Sequence, residues 1–155
     1  MIKQTVLPFK VETTNDTVTA HGGLALLGEF AIGVGMLEVV DRELPDPGSG
    51  AGYRPSEYSF PLVLMLHGGG RSLEDLRQIR EDEGLREVLP LRRVPSADAM
   101  GDWLRGVGGN GGLEGMEEVE QGLLKRGMQG DGIKGYTIDL DAGIVGGERI
   151  GEDDV

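Results

Sequence analysis

Residues 61–72, PLVLMLHGGGRS, set an unbroken apolar run between a proline and three consecutive glycines. No other stretch limits the fold as much. Pro61 has a fixed φ and no N–H to donate, so it suits the first turn of a helix better than a helix interior or a central strand. Gly68, Gly69 and Gly70 can enter the left-handed region in which helices end. The pattern predicts a fully buried helix that starts near Pro61, runs through Leu62 to Leu66 and stops at the glycines. The competing reading is a buried strand that carries His67 and the glycines into a site.

The strand reading has a chemical consequence. In many lipases and esterases a His-Gly-Gly-Gly strand end supplies backbone N–H groups to a developing oxyanion. Such an enzyme also needs a nucleophile on a G-x-S-x-G turn. None of Ser49, Ser56, Ser59, Ser72 and Ser96 has glycine two positions before and after it, cysteine is absent, and the only other histidine, His21, lies upstream. A helix stop accounts for the glycines without these missing parts.

On either side of this stretch the chain reads as mainly helical. Residues 5–19, TVLPFKVETTNDTVT, are rich in β-branched residues around Thr-Asn-Asp and predict a hairpin, with Pro8 confining its first strand to an edge. Residues 22–44 suit a buried helix or helix pair, and PDPGSGAGYRP at 45–55 is a loop. After the glycines, Ser72 and Asp75 have capping-box spacing ahead of Leu73, Leu76 and Ile79, and Arg77 and Glu81 form an i,i+4 pair. Leu85, Val88 and Leu89 give a second short helix closed by Pro90. Ser96 starts a third, with Met100, Trp103, Leu104 and Val107 on one face. These three helices have the dimensions of a helix-turn-helix unit or of a plain structural bundle. The outer face of the third carries Asp98 and Asp102 beside Arg105, which suits phosphate poorly.

Residues 113–128 predict an amphipathic helix with Leu113, Met116, Val119, Leu123 and Leu124 as its buried stripe. Its glycines, Gly115 and Gly122 among them, fall off that stripe. Of the 28 glycines, 12 lie between Gly101 and Gly135. Each glycine inside a helix costs roughly 1 kcal/mol relative to alanine. Uncompensated decay of a sequence no longer under selection is one explanation, and a functional glycine-rich segment is another. In YTIDLDAGIV, Thr137, Asp139 and Asp141 alternate with Ile138 and Leu140, as on a strand. Two carboxylates on one strand face suit a divalent cation, and equally suit a half-exposed strand.

Charge narrows the partners. The net charge is −12, unfavourable for a general polyanion binder. Residues 71–105, however, hold seven of the 15 basic residues and carry only −1, so any nucleic-acid surface belongs there. The expected contacts are Arg71, Arg77, Arg80, Arg92 and Arg93. With no cysteine, no signal-like N-terminus and no apolar run of membrane length, the expectation is a cytoplasmic protein without membrane contact.

The order GGLALLGEF, GYRPSEY, PLVLMLHGGGRSLEDLRQIRED, VPSADAMGDWLR and YTIDLDA resembles the N-terminal part of a DDE-type transposase of bacterial insertion sequences. The resemblance runs from about Gly22 to Val145, and LHGGGRSLEDLRQIRED followed by PSADAMGDWL is its most specific part. Together with the hairpin read from residues 5–19, it gives an α+β chain in three parts. These are an N-terminal β-hairpin over 1–20, a helical DNA-binding region over 21–130, and the first strands of a truncated RNase H-like domain over 131–155. It also implies an Asp-Asp-Glu triad holding two Mg²⁺ or Mn²⁺ ions, of which Asp141 matches the first acid and Asp139 would at most support it. Gly143 stands where the family has a hydroxyl residue, and no residue here matches the second Asp or the Glu. The expectation is therefore a transposase fragment that binds terminal inverted repeats, with possible self-association, but is inactive in DNA cleavage alone. The alternative is a non-enzymatic DNA-binding regulator that uses the helical segment.

Overall fold

The computed structural model describes residues 13, 15–47 and 52–130. They form seven α-helices: α1 (Gly22–Gly33), α2 (Met36–Glu43), α3 (Pro55–His67), α4 (Leu76–Glu81), α5 (Glu83–Val88), α6 (Ala97–Gly109) and α7 (Gly112–Gly130). A 3₁₀ turn, Leu73–Asp75, leads into α4. Leu64, Leu76, Ile79, Leu85 and Met100 are fully enclosed between α3, α4, α5 and α6, while Val39 and Val40 bring α2 into the same core. No single helix among the described residues is long and apolar enough to cross a membrane; α1 and α2 together would be, but are bent by 61°.

This corrects the α+β expectation, because the described residues contain no β-strand. YTIDLDAGIV and the first arm of the expected hairpin lie outside those residues. Its second arm is irregular for a specific reason. Thr17 Oγ1 donates to Glu87, and Thr19 Oγ1 donates to Asp82 at 2.6 Å, so both side chains serve α5. Their backbone runs over Gly84, where a Cβ would lie 2.8 Å from the Val18 carbonyl carbon and the Thr19 nitrogen. β-Branched residues here grip a helix rather than a second strand.

The start of α3 also differs from expectation. It begins at Pro55, so Pro61 sits fully buried inside the helix, where it cannot donate to the Glu57 carbonyl. The first turn is held from both sides. Glu57 accepts from the Arg54 N–H at 2.8 Å, and Asp41 of α2 accepts from the Ser56 N–H at 2.8 Å. These bonds satisfy donors that a helix start leaves open. At the other end, Gly70 N–H reaches the Met65 carbonyl at 2.9 Å and Gly69 N–H the Leu66 carbonyl at 3.1 Å, with Gly69 at φ +90°. That is a Schellman stop, which only a left-handed residue can close without strain. The run is not fully buried: Leu64 and Met65 face the core, whereas Leu66 is exposed. His67 Nδ1 contacts the Val63 carbonyl of its own helix at 2.9 Å, so the HGGG stretch forms a cap.

The face that α7 buries is only partly the predicted one, since Val119 and Leu123 of the expected stripe do pack inward. Leu113, Met116 and Leu124 are exposed, and the buried positions are Gly112, Gly115 and Val119, followed by the half-buried Gly122 and Leu123. Glycine lets α7 approach the end of α2 at backbone distance. Further along, the Arg126 guanidinium donates to the Gly35 carbonyl at 3.1 Å, in the turn between α1 and α2. Gly35 has φ +72°, and a Cβ there would collide with that guanidinium, so glycine is required twice over.

Candidate nucleic-acid interface

The arginines predicted to meet phosphate separate into free and committed groups. Arg93 is committed. Its Nη2 lies 3.0 Å from Glu57 Oε2, the same nitrogen donates to the Gly52 carbonyl, and the guanidinium sits 4.4 Å from the centre of the Tyr53 ring. This side chain joins the loop before α3 to the segment before α6. Arg77 is partly committed, with Nε 3.9 Å from Glu81 Oε1, although both groups are well exposed. The i,i+4 pair read from the sequence is therefore present.

Arg71 lies at the entry to the 3₁₀ turn. Its backbone N–H and that of Ser72 donate to Asp75 Oδ2 at 2.8 and 3.0 Å, and these bonds hold the Asp75 carboxyl below the usual aspartate range. The Arg71 side chain is exposed and has no acidic partner among the described residues. Arg80, in the last turn of α4, and Arg92, after Pro90, are likewise exposed and unpaired with any acid.

Arg86 links these last two. Its Nη1 donates to the Arg80 carbonyl at 3.4 Å, and its Nε donates to the Leu91 carbonyl at 3.4 Å. One guanidinium thus bridges the end of α4 and the chain just before Arg92. Carbonyls rather than carboxylates occupy its guanidinium, so no acid among the described residues offsets the Arg86 charge. Sequence reasoning missed this residue. The spacing from Asp82 to Arg86 suggests an intrahelical ion pair, but Asp82 is already taken by His21 Nδ1 at 2.7 Å, Thr19 Oγ1 at 2.6 Å and the Leu85 N–H at 2.8 Å.

The neighbouring acids are also largely engaged. Glu81 faces Arg77, Asp82 caps α5, and Glu87 accepts from Thr17. Arg80, Arg86 and the chain before Arg92 are thus tied together through backbone carbonyls, and none of the three arginines has an acidic partner among the described residues. In contrast, Arg105 on α6 is bound by Asp102 at 2.5 Å, which leaves no free cation on the helix that the sequence placed third. Asp141, the expected catalytic and metal-binding acid, lies outside the described residues. Among the described residues no group of three or more His, Asp or Glu side chains is placed to hold a metal ion. No family model, curated protein or solved structure matches this chain.

Proposed function

We propose that this chain is a DNA-binding part of a DDE-type transposase, and that Arg80, Arg86 and Arg92 contact the phosphate backbone. The observation that carries the reading is the Arg86 bridge, which ties the Arg80 carbonyl to the chain just before Arg92 and so brings together three arginines without an acidic partner among the described residues, in a chain whose net charge is −12. The likeness of LHGGGRSLEDLRQIRED and PSADAMGDWL to that family supplies the biological context. Arg71 and Arg77 extend the basic surface, whereas Arg93 is assigned to structure. Phosphate contacts position a protein on DNA without reading its sequence, and α6 offers acids where a recognition helix would need donors. Base-specific contact is therefore assigned elsewhere than α6.

Counterion release provides the test. Neutralising three phosphates gives a slope of about −3 for log K against log salt concentration on duplex DNA. Anisotropy titrations with the terminal repeats of an element encoding this chain should show that slope. Arg80→Ala and Arg92→Ala should each reduce it by about one, whereas Arg105→Ala should leave it unchanged. Absence of binding at low salt would refute the proposal, as would equal binding by an Arg80/Arg92 double alanine variant.

A further inference from the structure

A groove of about 510 Å³ runs between α1 and α7, with Met36 of α2 and Val63 of α3 also lining it. Leu27, Phe30 and Val34 form one wall and Leu123, Leu124 and Met128 the other. Phe30, Leu124 and Met128 are exposed, and Leu26, one turn before Phe30, extends the apolar surface. Gly127 keeps the groove open, since a Cβ there would meet nothing within 4 Å. Contiguous apolar surface of this kind marks a contact site.

The charges around the groove have one dominant sign. Among the described residues Glu120 is the one charged side chain lining it, and it has no hydrogen-bond or ion-pair partner there. Glu117, seven residues before Leu124 and so on the same face of α7, is also exposed and unpaired among those residues. Together α1 and α7 carry five acids against two basic residues. One of the two, Arg126, is held by the Gly35 carbonyl and Glu38. The other, Lys125, is turned roughly 100° round the helix from Leu124.

These features select the occupant. Both walls are helices whose backbone groups bond internally, so an extended peptide or a nucleic-acid strand would bring unsatisfied polar groups against apolar side chains. A helix brings none. A second copy of this chain, with net charge −12, is opposed by like charge, and residues 131–155 carry seven acids against two basic residues. Anionic lipid is opposed in the same way.

We infer that the groove binds an amphipathic helix with a basic polar face, its apolar residues at i, i+3, i+4 and i+7 seated between Phe30, Leu124 and Met128 and its cations facing Glu120 and Glu117. The inference does not depend on the arginine patch. Arg80→Ala and Arg92→Ala should bind such a helix as the parent chain does.

The probe is a synthetic leucine–lysine peptide of about 18 residues, roughly five helical turns, with that apolar spacing. Methionine methyl resonances locate its binding: Met36 and Met128 should shift saturably, whereas Met65 and Met100, buried in the core, should not. A peptide of the same composition with its leucines spread round the helix should bind about tenfold more weakly, the scale of a lost apolar anchor. Gly127→Leu, which fills the groove, and Phe30→Ala, which removes an exposed anchor, should each weaken binding about tenfold while circular dichroism stays unchanged. Glu120→Lys should shift the preference towards a leucine–glutamate peptide; Glu83→Lys, the same charge change on α5, should not. No saturable shift at millimolar peptide would overturn the inference. So would equal binding of the two lysine peptides, full binding by Gly127→Leu, or saturation of Met128 by phosphatidylglycerol vesicles. A dimer in sedimentation that Gly127→Leu disperses would give the groove to a second copy and overturn it as well.

Discussion

Gly115 of α7 lies directly on the Glu43 carbonyl at the end of α2: a Cβ at position 115 would be 2.5 Å from that oxygen and 3.1 Å from Leu44 Cδ2. The glycine is thus part of the contact between α2 and α7, not a defect in the helix. Alanine would gain roughly 1 kcal/mol in helix propensity. Overpacking against backbone costs more, about 1–3 kcal/mol. Gly115→Ala should therefore lower the melting temperature. Gly122→Ala, with its Cβ 3.0 Å from Val39 Cγ1, should cost less, because a side chain can shift where a carbonyl cannot. A rise in melting temperature for Gly115→Ala would show that α7 does not pack this closely.

Gly106 in α6 and Gly127 in α7 present the opposite case. An added Cβ meets nothing within 4 Å at either position, and neither has a positive φ. Each alanine substitution should raise stability by about 0.5–1 kcal/mol through reduced backbone freedom in the unfolded chain. Chemical denaturation would measure it. The decay explanation for the glycine excess therefore applies to such open positions and not to Gly115. If Gly106→Ala and Gly127→Ala both destabilise, even that limited form fails.

Arg92 and Arg93 are adjacent in sequence but have different tasks. Arg93 holds Glu57, the Gly52 carbonyl and the face of Tyr53 together, so Arg93→Ala should cost about 1 kcal/mol, with part of the loss from the cation–π contact. Lysine should rescue little, since it lacks the planar fork. Arg92→Ala should leave stability unchanged within about 0.5 kcal/mol, as expected for a surface side chain with no partner among the described residues. Equal destabilisation by both variants would remove the division between structural and free arginines.

What could be read from the sequence was mostly local. Ser96 does cap α6, accepting from the Ala99 N–H at 3.2 Å, and the glycines after His67 do end α3. Such signals act within a few residues, where spacing alone defines them. The buried face of α7 is legible only at Val119 and Leu123, because Leu113, Met116 and Leu124 dominate any apolar pattern, whereas the contact depends on how closely a glycine can approach Glu43. The hairpin was misread because Thr17 and Thr19 have the composition of a strand but bond to Glu87 and Asp82, 70 and 63 residues away. The arginines could be located as a region. Which of them were free depended on long-range partners: Glu57 takes Arg93 from 36 residues away, and His21 keeps Asp82 from Arg86.

Asp82 ties the N-terminal segment to α5 and gives the tie a pH dependence. Its Oδ1 accepts from the Leu85 N–H, while Oδ2 takes Thr19 Oγ1 and His21 Nδ1. Burial pushes the carboxyl upward, but the hydrogen bonds from His21, Thr19 and Leu85 outweigh it, so its pKa falls below the ordinary 3.8. A carboxyl that ionises more readily in the folded state contributes its full stability above the ordinary value. That contribution is lost as the pH falls through the lower, folded value. Asp82→Ala should cost about 1–2 kcal/mol near neutral pH, the upper range for loss of an N-cap. The difference from the parent should then shrink as the pH falls below the ordinary aspartate value and on through the lower, folded one. Urea denaturation of the two proteins across that range would measure it. Asp75, also held low, is common to both and cancels in the comparison. A stability gap that stays constant to the acid limit would mean that the Asp82 carboxylate contributes nothing beyond its shape.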